Sequence, residues 1–153
     1  TLADIEGVVT REEIGQMFAF ALVRNPWDRM VSYYHWLRDQ GFDHPAVGLA
    51  KSLEFGAFVQ SATVQGSLAA SPYGSYLRDG AGVDQSNLFI RIEHFSRDAQ
   101  PLFDHLGFDL TLPRENASDR AAGYQGYYTA KTRDLIAAAC AEDITRFGYR
   151  FDG

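Results

Sequence analysis

The chain has 153 residues, of which 46% are hydrophobic and 22% charged; this is ordinary globular usage and excludes a disordered chain. No apolar run approaches the ~20 residues of a membrane span. The one cysteine, Cys140, excludes an internal disulfide framework. A formal charge of −6 argues against a nucleic-acid partner held by bulk positive charge and disfavours a long polyanionic sugar, while leaving room for a local basic cleft.

In chain order, Thr10 caps a short helix carrying Glu12 and Glu13. Residues 16–24 form a short apolar run that reads as a buried strand. Asn25-Pro26-Trp27-Asp28 is a helix start: Asn25 suits the cap, Pro26 the first helical position and Asp28 the first turn. That helix is expected to run to about Asp39 and stop at Gly41, with Met30, Val31, Tyr34 and Leu37 on one apolar stripe. Ser52 is read as the cap of a second helix through about Ala62, so that Lys51-Ser52 is an ordinary helix start. Residues 63–85, rich in Gly, Ser and Asp, are expected to be loops with a short turn around Tyr73–Leu77.

Residues 87–92 read as a second buried strand. Ser96 is expected to cap a helix to Leu106, ended by Gly107. Leu110–Gly126 is irregular, and Thr129 caps a last long helix over about 130–146 with Leu135, Ile136, Ala139 and Ile144 inward and Gly148 as its stop. Strands alternating with helices indicate an α/β fold with a parallel sheet, in a single domain over 1–153. Two strands are few for such a sheet, and strands lying outside this chain are one explanation.

The segment from Phe20 to Tyr34 carries the most chemistry. A strand ends in Arg24 and a helix begins at once. Ligands of open α/β sheets bind at the carboxyl ends of strands, and a helix N-terminus offers N–H groups and partial positive charge to a phosphate. Arg24 adds a planar five-donor fork, and the Ser32 hydroxyl lies two helical turns on. The alternative is structural: Arg24 pairs with a carboxylate such as Asp28, and Ser32 is a small packing residue. His35, His44, His94 and His105 show no metal-site spacing. Tyr124, Tyr127 and Tyr128 either line an acceptor cleft or form a packing hinge before the last helix.

Val23-Arg24-Asn25-Pro26-Trp27-Asp28-Arg29-Met30-Val31-Ser32 resembles the 3′-phosphate-binding segment of sulfotransferases that use 3′-phosphoadenosine 5′-phosphosulfate (PAPS), closest to their carbohydrate-type branch. Weaker resemblances continue at Arg91–Asp98, Leu112–Ser118, Tyr127–Thr129 and Asp143–Tyr149, so the likeness spans roughly 16–151. It implies a P-loop-NTPase-like sulfotransferase fold, a parallel sheet flanked by helices, incomplete at its N-terminus. It implies transfer of a sulfuryl group from PAPS to a hydroxyl, in this branch that of a carbohydrate, without a metal. Arg24 and Ser32 are then the cofactor's 3′-phosphate contacts. A third, Arg120, is taken from residues 114–133, where Arg114, Arg120, Lys131 and Arg133 stand against Glu115 and Asp119. The family's donor-loop lysine has no counterpart: Gly48-Leu-Ala-Lys51-Ser52 lacks the Gly before Lys and follows the Arg-Asn-Pro segment instead of preceding it. That lysine and the catalytic base are expected upstream of Thr1. Two other readings remain: a non-catalytic module retaining only the 3′-phosphate site, and a P-loop kinase relative, which the missing Gly-x-x-x-x-Gly-Lys-Ser/Thr disfavours. No signal-peptide pattern opens the chain, and a cytoplasmic location is expected, or the Golgi lumen if an upstream segment carries an anchor.

Overall fold

The computed structural model describes residues 1–112 and 123–153. It is an α/β chain, mostly helical, with a small parallel sheet. In chain order the regular elements are α1 (Leu2–Ile5), α2 (Arg11–Gln16), β1 (Phe20–Val23), α3 (Pro26–Asp39), α4 (Pro45–Ser52), α5 (Phe55–Gln60), α6 (Ala62–Ala70), β2 (Leu88–Arg91), α7 (Phe95–Asp98), α8 (Gln100–Leu106), α9 (Ala130–Ala139) and α10 (Ala141–Phe147). Single 3-10 turns lie at Tyr73–Leu77, Ile92–His94 and Gln125–Tyr127. Among the described residues no helix is long and apolar enough to cross a membrane. The contacts divide the chain into two units, described separately below.

The first unit holds 1–24 and 73–112. β1 and β2 pair in parallel with Phe20 opposite Leu88 and Val23 opposite Arg91. Asn87 starts the ladder: its side chain accepts from the Ala19 N–H at 2.7 Å, and its own N–H donates to the Ala19 carbonyl at 2.8 Å. Both strands are shorter than the apolar runs that announce them, because a strand lasts only as far as its ladder; Gln16 belongs to α2. Burial is also one-sided. Val23 and Ile90 are fully buried, whereas Phe20 and Leu22 on β1 are 40% and 41% exposed, against the expectation of a strand buried on both faces. Ile90, Ala99, Leu102 and Phe103 form the core, with Phe18, Leu88 and Phe95 against it. Ser96 caps nothing: it lies inside α7, and the helix expected from 96 to 106 is two short ones. Gly107 ends α8 at φ 77°, a left-handed position glycine adopts freely. The Gly/Asp-rich turn after the 3-10 segment is stapled by Asp79, whose carboxylate accepts from the Ala81 and Val83 N–H groups and from Gln85 Nε2.

The second unit holds 25–72 and 123–153 and is helical. Its core joins Trp27, Met30, Val31, Tyr34 and Leu37 of α3 to Ala46, Val47, Ala50, Phe55, Phe58, Val59, Val64, Ile136 and Cys140. The stripe read on α3 is therefore its buried face. Three other boundaries differ from expectation. Ser52 is the last residue of α4, its hydroxyl donating back to the Gly48 carbonyl at 2.8 Å; the helix begins at Pro45 beneath a His44 cap. Residues 62–70 are helical (α6) instead of loop. The last long helix is broken at Cys140 into α9 and α10. Thr129 caps α9 as expected, accepting from the Thr132 N–H, and Gly148 closes α10 at φ 69°.

Candidate functional site

The sequence around Arg24 folds as its residue types dictate. β1 ends at Val23, so Arg24 stands directly beyond the carboxyl end of a parallel strand and is half-buried. Asn25 then caps α3: its Oδ1 accepts from the Trp27 N–H at 3.1 Å, and Pro26, which has no N–H to lose, takes the first helical position. Asp28 lies in the first turn, and Ser32, half-buried, two turns along.

This geometry alters the expected anion cradle in one respect. Two of the first three helical positions bring no N–H to a ligand, since Pro26 has none and that of Trp27 is held by Asn25. The helix end therefore contributes chiefly through its dipole, which the carboxylate of Asp28 already complements. Arg24, in the first unit, and Ser32, in the second, are each of a donor type suited to an anion.

Asn25 does more than cap. Its Nδ2 donates to the Tyr124 hydroxyl at 3.2 Å and to the Arg150 carbonyl at 3.0 Å. The Tyr124 hydroxyl donates to the Phe151 carbonyl. The Tyr128 hydroxyl donates to the Trp27 carbonyl at 2.8 Å, and the Trp27 indole N–H to the Arg133 carbonyl at 3.0 Å. The rings follow the same connections: Phe151 meets Trp27, Tyr124 and Tyr128 edge-on with centroids 5.5, 5.7 and 5.5 Å away. Burial pushes the Tyr128 hydroxyl well above its ordinary range, keeping it a neutral donor. Tyr124 and Tyr128 are thus packing groups of a knot around the start of α3, while Tyr127 packs further along the helix, against His35 and Phe55. Sequence reading identified the cap and the tyrosines but not their union, because the partners stand 99 and 125 positions apart. The available signal was general: three tyrosine hydroxyls in a half-buried cluster need partners.

Of the remaining candidates, Arg120 and Arg114 lie outside the described residues. Lys131 is exposed on α9; Arg133 pairs with Asp134 at 2.8 Å and lies over the Phe151 ring at 5.9 Å. Lys51 is exposed in the last turn of α4, so Lys51-Ser52 is a helix end and not a helix start. His35 Nε2 is 3.0 Å from the Tyr127 hydroxyl, His44 Nδ1 caps α4, and His105 stacks on Phe18 with centroids 4.4 Å apart. Cys140 is buried, and burial pushes its thiol up to about 11. Among the described residues no group of three or more His, Cys, Asp or Glu is arranged to hold a metal.

Comparison with models of known protein families, with curated proteins and with solved structures finds no match to this chain.

Proposed function

We propose that this chain is the 3′-phosphate-binding part of a sulfotransferase that takes a sulfuryl group from PAPS to a hydroxyl acceptor, in the first instance that of a carbohydrate, on a P-loop-NTPase-like sulfotransferase fold. The observation that carries the proposal is the Arg24–Ser32 segment itself: its likeness to the family's segment coincides with a parallel strand, an arginine at its carboxyl end and an Asn-capped, Pro-initiated helix. Arg24 would grip the phosphate bidentately, Ser32 would add a hydroxyl donor, and Arg120 would supply a third contact. Such an anchor is remote from the reacting sulfur. Its binding energy serves to orient the donor for in-line attack, where positioning and charge stabilisation carry the chemistry.

The test is a thermal-shift titration with adenosine 3′,5′-bisphosphate, with adenosine 5′-monophosphate as control. Ligand at 100 times its Kd adds about 2.7 kcal/mol, which for a chain of this size raises Tm by roughly 5–11 °C. A shift with the bisphosphate beyond that with the monophosphate is expected, and Arg24→Ala is expected to weaken binding by about 1.5–3 kcal/mol. Equal responses to the two nucleotides, or unchanged calorimetric affinity in Arg24→Ala, would remove the 3′-phosphate role.

A further inference from the structure

The second unit covers its large apolar side chains with two exceptions. Among its described residues, Trp36 and Phe42 alone are exposed large hydrophobics, each at 48%, and they touch, with ring centroids 6.0 Å apart. Single exposed apolar residues are ordinary on a protein surface, whereas a contiguous exposed patch marks a contact surface. The patch continues on both sides. Tyr33, one helical turn before Trp36, lies nearly parallel to it at 6.1 Å and 19°, and His44 meets Phe42 at 6.3 Å. The row is also anchored. Tyr33 meets the buried Phe58 ring at 6.5 Å, the Gln40 side-chain amide donates to the Trp36 carbonyl at 2.9 Å, and His44 caps α4. Rings already held in place lose little freedom when a ligand settles on them.

The polar groups beside the row select its occupant. Asp39, three positions after Trp36 on α3, and Asp43, between Phe42 and His44, are both exposed. Arg38, the one Lys or Arg between 36 and 44, is engaged on Tyr34: its Nη1 donates to the hydroxyl at 2.6 Å and its guanidinium lies over the ring at 5.3 Å. His44 Nδ1 accepts from the Ala46 N–H at 3.2 Å, so the neutral ring carries its proton on Nε2 as a donor. Flat rings with carboxylate acceptors and an N–H donor suit a sugar. The axial C–H groups of a pyranose lie on the negative π-faces, and its equatorial hydroxyls bond the polar groups. The acidic flank repels a phosphate backbone, an anionic membrane surface and a sulfated glycan, and it sets like charges together if two copies meet through this patch. We infer that Tyr33, Trp36, Phe42 and His44 form a docking platform for a neutral glycan of β-linked pyranoses with equatorial hydroxyls. Every residue of the platform lies in one unit and none is a phosphate contact, so it goes beyond the sulfotransferase reading and does not rest on it.

The experiment titrates the chain with cellopentaose and chitopentaose, with a heparin pentasaccharide as the sulfated comparison, and follows tryptophan emission and calorimetric heat. Of the two tryptophans Trp27 is 4% exposed, so a change in emission reports Trp36. Saturable binding of at least one neutral pentaose is expected, and none of the sulfated one. Trp36→Ala is expected to raise Kd about tenfold and Phe42→Ala about threefold, the scale of one aromatic contact each, with Tm close to that of the parent because both positions are exposed. Trp36→Tyr, which keeps a flat ring, is expected to hold most of the affinity. Tyr76→Ala, which removes an exposed ring of the first unit, is expected to leave Kd unchanged. No saturable response to either neutral pentaose, equal or tighter binding of the sulfated one, or a loss in Tyr76→Ala as large as in Trp36→Ala overturns the platform. A concentration-dependent dimer in sedimentation that Trp36→Ala abolishes also overturns it, since the occupant is then a second copy. None of these outcomes bears on the nucleotide affinity of Arg24→Ala, so the two readings stand or fall separately.

Discussion

At the scale of single residues, a half-buried ion pair lies at the end of β2. Arg91 Nε donates to Asp98 Oδ2 at 2.6 Å, and Arg97 Nε to Asp98 Oδ1 at 2.9 Å. The Asp98 side chain is only 10% exposed. The Arg91 hydrogen bond, followed by that of Arg97, outweighs desolvation and holds its carboxyl at about 2, below the ordinary 3.8. A lowered folded-state pKa contributes stability that is present above the unfolded value and is lost as pH falls from about 4 towards 2. Asp98→Asn is therefore expected to cost about 1–2 kcal/mol at pH 7, a charged hydrogen bond discounted because Arg91 is 34% exposed. Urea unfolding at pH 7 and pH 2.5 reads the result: the gap between variant and parent should narrow at low pH, and a gap independent of pH would rule out the pair as its source. The sequence displayed Arg91 and Asp98 seven positions apart but not their bond, because the chain between them leaves a strand, passes a 3-10 turn and enters a helix before the two meet.

At the scale of elements, the sequence was legible where a cap and an apolar period agree. Asn25, Pro26 and the Met30–Leu37 stripe mark α3 from its first residue to its last turn, and the structure places them so. It was misleading where one signal stood alone. Ser52 has the right side chain for a cap, but its hydroxyl is satisfied by the Gly48 carbonyl behind it, the back-bond open to any helical serine. Pro45 was the better signal, since proline favours the first helical position and forbids the interior. α6 was hidden because the apolar residues of Ala62–Ala70 are spread around the helix instead of gathered on one face. Its backbone is helical through its place in the helical unit, beside α5 and α9, more than through periodicity. The contrast between the two hydroxyls is measurable. Thr129→Ala, which removes a true cap, is expected to cost about 1 kcal/mol. Ser52→Ala should change stability by less than ~0.5 kcal/mol, because its back-bond adds little to a helix. Equal losses in denaturant unfolding would contradict this assignment of caps.

At the scale of the whole molecule, α/β character was legible from the order of strands and helices, and the parallel pairing of β1 and β2 agrees with it. The one-sided burial of β1 was not, because an apolar run records which residues avoid water, not how many layers are present to cover them. The same pairing has a consequence for how the chain folds. Ala19 and Asn87, whose bonds open the ladder, are 68 positions apart. Closing a flexible loop of that length costs about 4 kcal/mol, and fixing each paired residue costs roughly 1–2 kcal/mol more. A ladder of four pairs cannot offset this by itself. Between the strands, α3 packs on α4 and α5 on α6, near-neighbour pairings that carry no such penalty although α5 and α6 also meet the distant α9; the collapse of these pairs is expected to come first and shorten the loop left to close. Ile90→Val, in the sheet, should then mainly accelerate unfolding, with φ near 0–0.3, while Phe58→Leu, in the helical core, should mainly slow refolding. Stopped-flow kinetics giving Ile90 the higher φ would reverse that order. On this account the sheet that presents Arg24 is the last part of the molecule to form and, in the reverse direction, the first to come apart.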